Sequence, residues 1–481
     1  MSLENLEPKQ VFGYFEDICS IPHGSRNTKK ISDYLVAFAE KQGLEHYQDD
    51  TNNVIIIKEA TAGYENAAPV IIQGHIDMVC EKDPGKEIDF SKEGATPVVD
   101  GDWLRADGTT LGGDDGIAVA MALAVLASDD MQHPRIEAVF TVDEEIGMLG
   151  AQVIDTSKLT AKKFLNIDSE DEGIFTISCA GGVTARCIVP VTRENAEGNI
   201  YELKIGGLLG GHSGQMIAKE RGNASILMGR LLYRAACEAD FRILSLEGGA
   251  KDNAITKDCA AEIVVADKDC KVIEKIAEEC GKDFAHEFKT SDPGVTVSCS
   301  NGGKKNVEAV TGKSTRDIIT FLMNSPQGVQ RMSMDIDGLV ETSLNLGILE
   351  LGADQLEASS SVRSSVASEK NALMDKLTSL TETFGGHMEF TGDYPGWEFV
   401  EDSAFRKTCV EVYEKQYGSE PVIEAIHAGL ECGLFASKID GLDAVSIGPD
   451  MEDVHTSGEK LNIPSVQRVW KFVAEVLKES K

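Results

Sequence analysis

Short apolar runs alternate with segments of helical period from residue 9 to residue 167, and this alternation constrains the fold most strongly. Strands are predicted at residues 53–57, 69–73, 135–142 and 163–167, and helices at residues 9–21, 28–42, 115–127 and 145–154. Such alternation is typical of an α/β fold with a mostly parallel central sheet and flanking helices. Because parallel sheets bind ligands at the carboxyl ends of their strands, functional residues are expected there.

The pattern changes after residue 182 and changes back near residue 396. Between these points, strand-like runs such as 184–189 and 260–265 occur with amphipathic helices, including 223–238, which is an α+β pattern. The last part of the chain returns to helix–strand alternation. We therefore predict a first domain in two parts, residues 1–182 and 396–481, interrupted by an inserted α+β domain at residues 183–395.

Composition excludes several classes of partner. The net charge of −34 argues against nucleic acid and against anionic membrane surfaces, because both would repel the chain at long range. The longest nearly apolar run, residues 116–127, is too short to span a bilayer, and no signal peptide is evident. Eleven cysteines without CxxC pairs indicate reduced thiols, so a cytoplasmic location is expected.

The stretch APVIIQGHIDMVCEK ends a predicted buried strand with His75 and Asp77. Side chains at i and i+2 of a strand point to the same face, so the two groups are expected to be neighbours. A carboxylate beside an imidazole fixes its tautomer, which is a common arrangement behind a metal-bound histidine. The alternative is a solvated strand end with a structural hydrogen bond.

Two further acidic clusters follow apolar or glycine-rich segments. Asp114 and Asp115 in TTLGGDDGIAVA precede a predicted helix, where one aspartate would suffice as a cap. Residues 143–145, Asp-Glu-Glu, follow a predicted strand, and three adjacent carboxylates repel one another unless cations or hydrogen-bond donors neutralise them. A solvated acidic strand end is the alternative here.

Asp168 ends another apolar strand, and His455 lies in a loop with Gly and Pro after a later strand. Together with the residues above, two histidines and several carboxylates are expected at one edge of the sheet. This donor set fits a binuclear metal site and suits zinc.

Six motifs occur in an order that resembles the di-zinc exopeptidase family, which includes carnosinases, tripeptidase T and carboxypeptidase G. They are GHIDMV, LGGDDGIAVA, DEEIGMLGA, NIDSED, GGHSG and HTSGEKL. The resemblance covers essentially the whole chain. It implies a catalytic first domain, an inserted domain of the lid or dimerisation type, and two divalent metal ions, zinc first, with cobalt or manganese as alternatives.

The resemblance also implies the metal ligands. His75 and Asp168 would bind one ion, Glu145 and His455 the other, and Asp114 would bridge the two. Many relatives have Lys-Gly after the aspartate pair, whereas a glycine follows directly here. Asp115 is therefore the alternative bridge, and we predict Asp114 because it is the first of the pair.

Further roles follow from the same resemblance. Asp77 would orient His75, and Glu144 would be the general base. In the inserted domain, His212 would stabilise the oxyanion. From its position in the small-residue strand SSSVRSSVAS, Arg363 is expected to bind a substrate carboxylate, assisted by Asn253, and a surface ion pair is the alternative. A homodimer is compatible with the resemblance, and in dimeric relatives the lid histidine can come from the partner subunit.

The predicted activity is hydrolysis of unblocked dipeptides, including Xaa-His peptides such as carnosine, and the histidine preference comes only from the resemblance. Two rival functions are a metal-dependent amidohydrolase or carboxypeptidase that acts on N-acyl amino acids, and a non-catalytic metal-dependent binding protein. The presence of Glu144 argues against the second rival.

Overall fold

A computed structural model of the chain describes residues 3–481. That part contains eleven α-helices and three short 3₁₀ helices, at Leu3–Asn5, Thr156–Lys158 and Ile217–Lys219. The α-helices are α1 Lys9–Ser20, α2 Lys29–Gln42, α3 Gly113–Ala127, α4 Leu149–Val153, α5 Ala224–Glu238, α6 Cys270–Glu287, α7 Gly312–Asn324, α8 Ala367–Thr383, α9 Ala404–Tyr417, α10 Glu431–Lys438 and α11 Ile463–Glu479.

The described residues also form 23 strands. They are β1 Glu45–Gln48, β2 Val54–Lys58, β3 Val70–His75, β4 Pro97–Asp100, β5 Trp103–Ala106, β6 Ile136–Thr141, β7 Lys163–Asn166, β8 Ile174–Cys179, β9 Gly181–Pro190, β10 Arg193–Gly206, β11 Gly211–His212, β12 Phe241–Gly248, β13 Ala254–Ile255, β14 Cys259–Val265, β15 Thr296–Val310, β16 Gly328–Met332, β17 Val340–Leu351, β18 Gln355–Ser364, β19 His387–Tyr394, β20 Val422–Ile426, β21 Asp443–Ser446, β22 Met451–Glu452 and β23 Lys460–Asn462.

The chain divides into two compact units, each with its own buried apolar core. The first unit comprises the residues up to 179 together with 399–425 and 430–481, and the second comprises 180–398 and 426–429. The predicted domain limits lie three residues from the breaks at 179 and 398, and the short segment 426–429 was not predicted. The roles of catalytic domain and lid remain predictions.

The first unit is built around an eight-stranded sheet with the order β1-β2-β6-β3-β7-β21-β8-β20. Its four central strands, β6, β3, β7 and β21, run parallel, and the pairs β1–β2, β2–β6 and β21–β8 are antiparallel. The central strands are mostly apolar and buried, and their apolar side chains share one core with helices such as the apolar α3. The predicted α/β class is confirmed, and the carboxyl ends of the parallel strands share one edge.

A small four-stranded sheet, β22-β23-β5-β4, completes the strands of the first unit. Its β22–β23 hairpin carries the loop with His455, and Asn462 at the end of β23 caps α11 by accepting a hydrogen bond from the Ser465 backbone.

The second unit is an antiparallel sheet with helices α5 to α8. The strand order is β15-β10-β14-β12-β17-β18-β9-β19, with β16 paired to β17. This is the α+β architecture that the sequence predicts for the inserted region.

The predicted helix at residues 145–154 is wrong in its first turn, since α4 begins only at Leu149. Residues 143–148 instead form a turn in which Asp143 and Met148 have positive φ angles of 54° and 58°. Across residues 3–481, no helix is both long enough and apolar enough to span a membrane.

Candidate metal centre

The five predicted metal ligands form two groups that have Asp114 in common. One group is His75, Asp114 and Asp168, and the other is Asp114, Glu145 and His455. Within each group, the candidate ligand atoms all lie within 4.8 Å of one another. The sheet explains this convergence, because His75 ends β3, Asp168 follows β7, and Glu145 lies in the turn after β6.

Asp114 presents one carboxylate oxygen to each histidine. Its Oδ1 lies 3.0 Å from Nε2 of His75, and its Oδ2 lies 3.2 Å from Nε2 of His455. Asp115 has a different environment, since its buried carboxylate accepts a hydrogen bond from the His75 backbone N–H at 3.2 Å. The geometry of a bridging ligand is therefore that of Asp114.

The tautomer of His75 follows from its contact with a main-chain carbonyl. Nδ1 lies 2.9 Å from the carbonyl oxygen of Asp77, which can only accept a hydrogen bond, so Nδ1 carries the proton. The lone pair of a neutral His75 is therefore on Nε2, which faces Asp114 and lies 3.5 Å from Oδ1 of Asp168. A ring in this state is prepared to bind a metal.

The carboxylate of Asp77 lies 3.6 Å from Nδ1 of His75 and makes its hydrogen bonds elsewhere. It accepts from the backbone N–H groups of Glu144, at 3.0 Å, and Glu145, at 3.4 Å, and from the hydroxyl of Ser25 at 2.8 Å. Asp77 thus orients His75 through its main chain and the Glu144–Glu145 turn through its side chain.

The charges at this sheet edge favour a positive partner. Hydrogen bonds to Asp114 and Glu145 raise the pKa of His455 to about 11. Burial raises the pKa of Asp168 to about 6; His75 opposes this shift, and the Asp114 carboxylate adds to it. A histidine that holds its proton because carboxylates surround it indicates an excess of negative charge, and the Asp114 carboxylate adds to the effect of burial on Asp168.

The residues present fit a pair of divalent cations. Each group offers one imidazole nitrogen and two carboxylate oxygens, a donor set that zinc, cobalt and manganese can share. The Oε1 atom of Glu145 is buried and has no hydrogen-bond partner among residues 3–481, as expected of an oxygen that serves a metal. Three protein donors for each ion leave room for water or substrate.

A row of buried polar side chains crosses the four parallel strands near their carboxyl ends, just before the candidate ligands in the chain. This polar row consists of Thr141 in β6, Gln73 in β3, Asn166 in β7 and Ser446 in β21. Gln73 Nε2 donates to Thr141 Oγ1 at 3.2 Å, Asn166 Nδ2 donates to Gln73 Oε1 at 2.7 Å, and Ser446 donates to Asn166. At the Thr141 end, a carboxylate oxygen of the fully buried Glu431 accepts from both Thr141 and Gln73.

Sequence reasoning missed the polar row, although a signal was present. Gln73 and Asn166 each precede a predicted ligand, His75 and Asp168, by two residues and share its face of the strand. A polar residue inside an apolar run is expensive to bury unless it is hydrogen-bonded. Its position two residues before a candidate ligand therefore indicates a support for that ligand.

Glu459 is a second residue that sequence reasoning missed, even though it lies within the HTSGEKL motif. Its buried carboxylate accepts backbone N–H groups of the loop that leads into α3. Oε2 accepts from Leu111 at 2.7 Å and Gly112 at 3.2 Å, and Oε1 accepts from Gly113 at 2.7 Å and Asp114 at 3.4 Å. The side chain of Glu459 thus fixes the backbone that presents Asp114.

The predicted substrate-binding residues lie in the second unit. Arg363 is 8% exposed, and its Nη1 donates to the hydroxyl of Tyr394 at 3.2 Å. Nδ1 of His212 accepts from the backbone N–H groups of Gly214 and Gln215, both at 3.3 Å, which leaves the proton of the neutral ring on Nε2. Burial and the Arg363 charge lower the pKa of His212, so the ring stays neutral near pH 7.

Asn253 contacts the His212 loop through its main chain. Its carbonyl accepts from the Ser213 N–H at 2.8 Å, while its side chain is exposed. The two oxygens of buried Asp292 accept from the N–H groups of Leu209 and Gly222, both at 2.8 Å, and so fix the two ends of this loop.

Comparisons with known proteins identify the family and the fold. The model of peptidase family M20/M25/M40 matches residues 71–479. A cytosol non-specific dipeptidase of Escherichia coli (strain K12) is 36% identical over 479 residues, 99% of each chain. The crystal structure of an aminoacylhistidine dipeptidase from Vibrio alginolyticus has a TM-score of 0.95 at 35% identity, covering 99% of this chain and 98% of that one. An aminopeptidase PepT from Bacillus cereus, with a TM-score of 0.57 and 16% identity over 99% of both chains, is similar in fold alone.

Replacement of Glu459 should weaken metal binding. In Glu459→Gln, an N–H₂ group replaces an oxygen that accepts backbone N–H groups, so the loop with Asp114 should shift. We expect the affinity for divalent metal to fall roughly tenfold to a hundredfold, measured by competition with a chromophoric chelator. The control is Glu452→Gln, which changes an exposed residue paired with Lys460. Equal metal affinity in both variants and the unmodified protein would contradict this role.

Proposed function

The chain belongs to peptidase family M20/M25/M40, and on this premise we propose that it is a metal-dependent dipeptidase that hydrolyses unblocked dipeptides, Xaa-His among them. The observation that carries the proposal is Asp114, whose two carboxylate oxygens face the histidines of two separate ligand groups. The names of two similar proteins, a dipeptidase and an aminoacylhistidine dipeptidase, support the substrate class. The histidine preference rests on the second name and on the motifs.

We propose zinc as the metal. His75 and Asp168 would hold one ion, and Glu145 and His455 would hold the other. Asp114 would hold both ions. When bound, two divalent ions supply Lewis acidity, which polarises the scissile carbonyl and lowers the pKa of a water molecule. Cobalt or manganese could occupy the same donors.

Glu144 is the proposed general base. Burial raises the pKa of its carboxyl group well above the usual value; His75 opposes this shift, and the carboxylates of Asp168 and Glu431 strengthen it. A carboxylate with a high proton affinity can accept a proton from the attacking water and return it to the departing nitrogen. The hydrogen bond from its backbone N–H to Asp77 fixes the position of Glu144 in the turn.

Three residues of the second unit are proposed to bind substrate. His212, with its proton on Nε2, donates to the oxyanion that develops on the scissile carbonyl. The guanidinium of Arg363 pairs with the free carboxylate of the dipeptide, and Asn253 assists it. A requirement for a free carboxylate would limit the enzyme to very short peptides.

We also propose a cytoplasmic location, which the name of the Escherichia coli relative and the scattered cysteines support. The homodimer that the family resemblance allows stays a prediction.

A substrate panel tests the proposed function. We expect the enzyme to cleave unblocked dipeptides, to lose this activity on chelation, and to regain it with zinc, cobalt or manganese, because its ligands need a divalent ion. Dipeptides blocked at either terminus should be cleaved much more slowly. Hydrolysis of N-acyl amino acids alone would favour an amidohydrolase. Activity that survives complete metal removal would contradict the metal-dependent mechanism.

Replacement of the proposed base should separate metal binding from catalysis. We expect Glu144→Gln to retain its metal ions but to lose kcat by a factor of roughly 10² to 10⁴, because an amide cannot accept the proton. Metal content and steady-state kinetics are measured on the same preparation, with Glu87→Gln, on the exposed surface of the same unit, as the control. A metal-replete Glu144→Gln enzyme with normal turnover would refute the assignment.

A further inference from the structure

A histidine that the sequence analysis left unassigned lies in the second unit. His427 belongs to the short segment 426–429, which is part of that unit although the residues on either side belong to the first. Its Nε2 lies 2.7 Å from the hydroxyl oxygen of Ser343 in β17, within hydrogen-bond distance. This contact orients the ring, and because a hydroxyl can donate or accept, it is compatible with either neutral tautomer of His427.

Ser343 brings His427 next to Arg363. Ser343 and Arg363 are direct cross-strand partners in the β17–β18 pair, so their side chains leave the same face of the sheet as neighbours. The electrostatics agree, because burial and the charge of Arg363 lower the pKa of His427 to about 3, against a weaker effect of the Val340 backbone. The imidazole is therefore neutral and lies within the field of the guanidinium.

The loop that carries His212 packs against the main chain of His427. A Cβ atom added to Gly214 would lie 2.6 Å from the carbonyl oxygen of His427 and 3.0 Å from Cε1 of His212. Glycine is the residue that permits this approach. Both histidines and Arg363 thus surround one polar region of the second unit.

Two buried polar atoms in this region have no hydrogen-bond partner. They are Nδ1 of His427 and Nε of Arg363, and neither has a hydrogen-bond partner among residues 3–481. Arg363 is more than nine-tenths buried, and buried polar atoms in folded proteins are nearly always paired. The Val340 main chain acts on the His427 ring, but Nδ1 of His427 and Nε of Arg363 stay without an acceptor, and two such nitrogen atoms beside a positive charge suit an anionic group.

We propose that His427, positioned by Ser343, is a second donor of the carboxylate subsite to which Arg363 belongs. The hydroxyl of Ser343 donates to Nε2 of His427, and the proton on Nδ1 is then donated to the free carboxylate of the dipeptide. This inference rests on the proposed dipeptidase function and adds a residue that determines specificity. With two donors, the subsite distinguishes a carboxylate, which only accepts hydrogen bonds, from an amide, whose N–H₂ group would face a donor.

Kinetics with matched substrates test this inference. For a free dipeptide, we expect His427→Leu to raise KM roughly tenfold to a hundredfold, the effect of losing a hydrogen bond to a charged group, with a much smaller change in kcat. For the same dipeptide with an amidated C-terminus, kcat/KM should change less than about threefold, because that substrate does not use the donor. Arg363→Met provides the reference for loss of the main anion-binding group.

Two further variants separate a donor from a packing group. In His427→Asn, the side-chain amide nitrogen can occupy the place of Nδ1, so part of the lost affinity for the free dipeptide should return. Ser343→Ala should give an intermediate KM, because the ring keeps its donor but loses the contact that orients it. His387→Leu, at an exposed position of the same unit, is the control and should behave as the unmodified enzyme.

The outcomes distinguish this inference from the proposed function. Equal losses with the free and the amidated dipeptide, or an unchanged KM in His427→Leu, would overturn the role of His427 while metal-dependent cleavage by the unmodified enzyme stands. An unmodified, metal-loaded enzyme that cleaves no dipeptide would overturn the proposed function itself, and the subsite with it.

Discussion

Carboxylates at one edge of the sheet repel one another, and the rest of the first unit has to hold them together despite this repulsion. Asp114, Asp168 and Glu145 lie within a few ångströms of two imidazoles, and the raised pKa of His455 reflects the excess negative charge. Burial strengthens each of these interactions, since the local dielectric is low. A pair of divalent cations is the neutralising partner that suits these donors, and the proposed hydrolytic chemistry depends on it.

Such a cluster needs a rigid support, and the fold supplies it through hydrogen bonds rather than further ion pairs. The polar row links the four parallel strands, and the carboxylate of Glu459 holds the backbone before α3. Asp77 holds the turn that carries Glu144 and Glu145. These groups hold the backbone that presents Asp114 and Glu145, so these donors are already in position when a cation arrives.

The sequence was sufficient for the fold class and for the family, which the match over residues 71–479 confirms, because both depend on local periodicity and on motif order. The sequence did not predict contacts between segments that are far apart in the chain. Glu459 acts on residues about 350 positions earlier, and His427 joins the second unit only through the tertiary fold. The start of α4 at Leu149 was also missed, since the hydrogen bonds to Asp77 replace a helical turn that periodicity alone favours.

The central claim is that two divalent cations share Asp114. Metal analysis of the purified enzyme, combined with anomalous X-ray diffraction from its crystals, tests this most directly. We predict two divalent ions per chain, with the carboxylate of Asp114 coordinating both, one through each oxygen. A single bound ion, or two ions without a common ligand, would contradict the account.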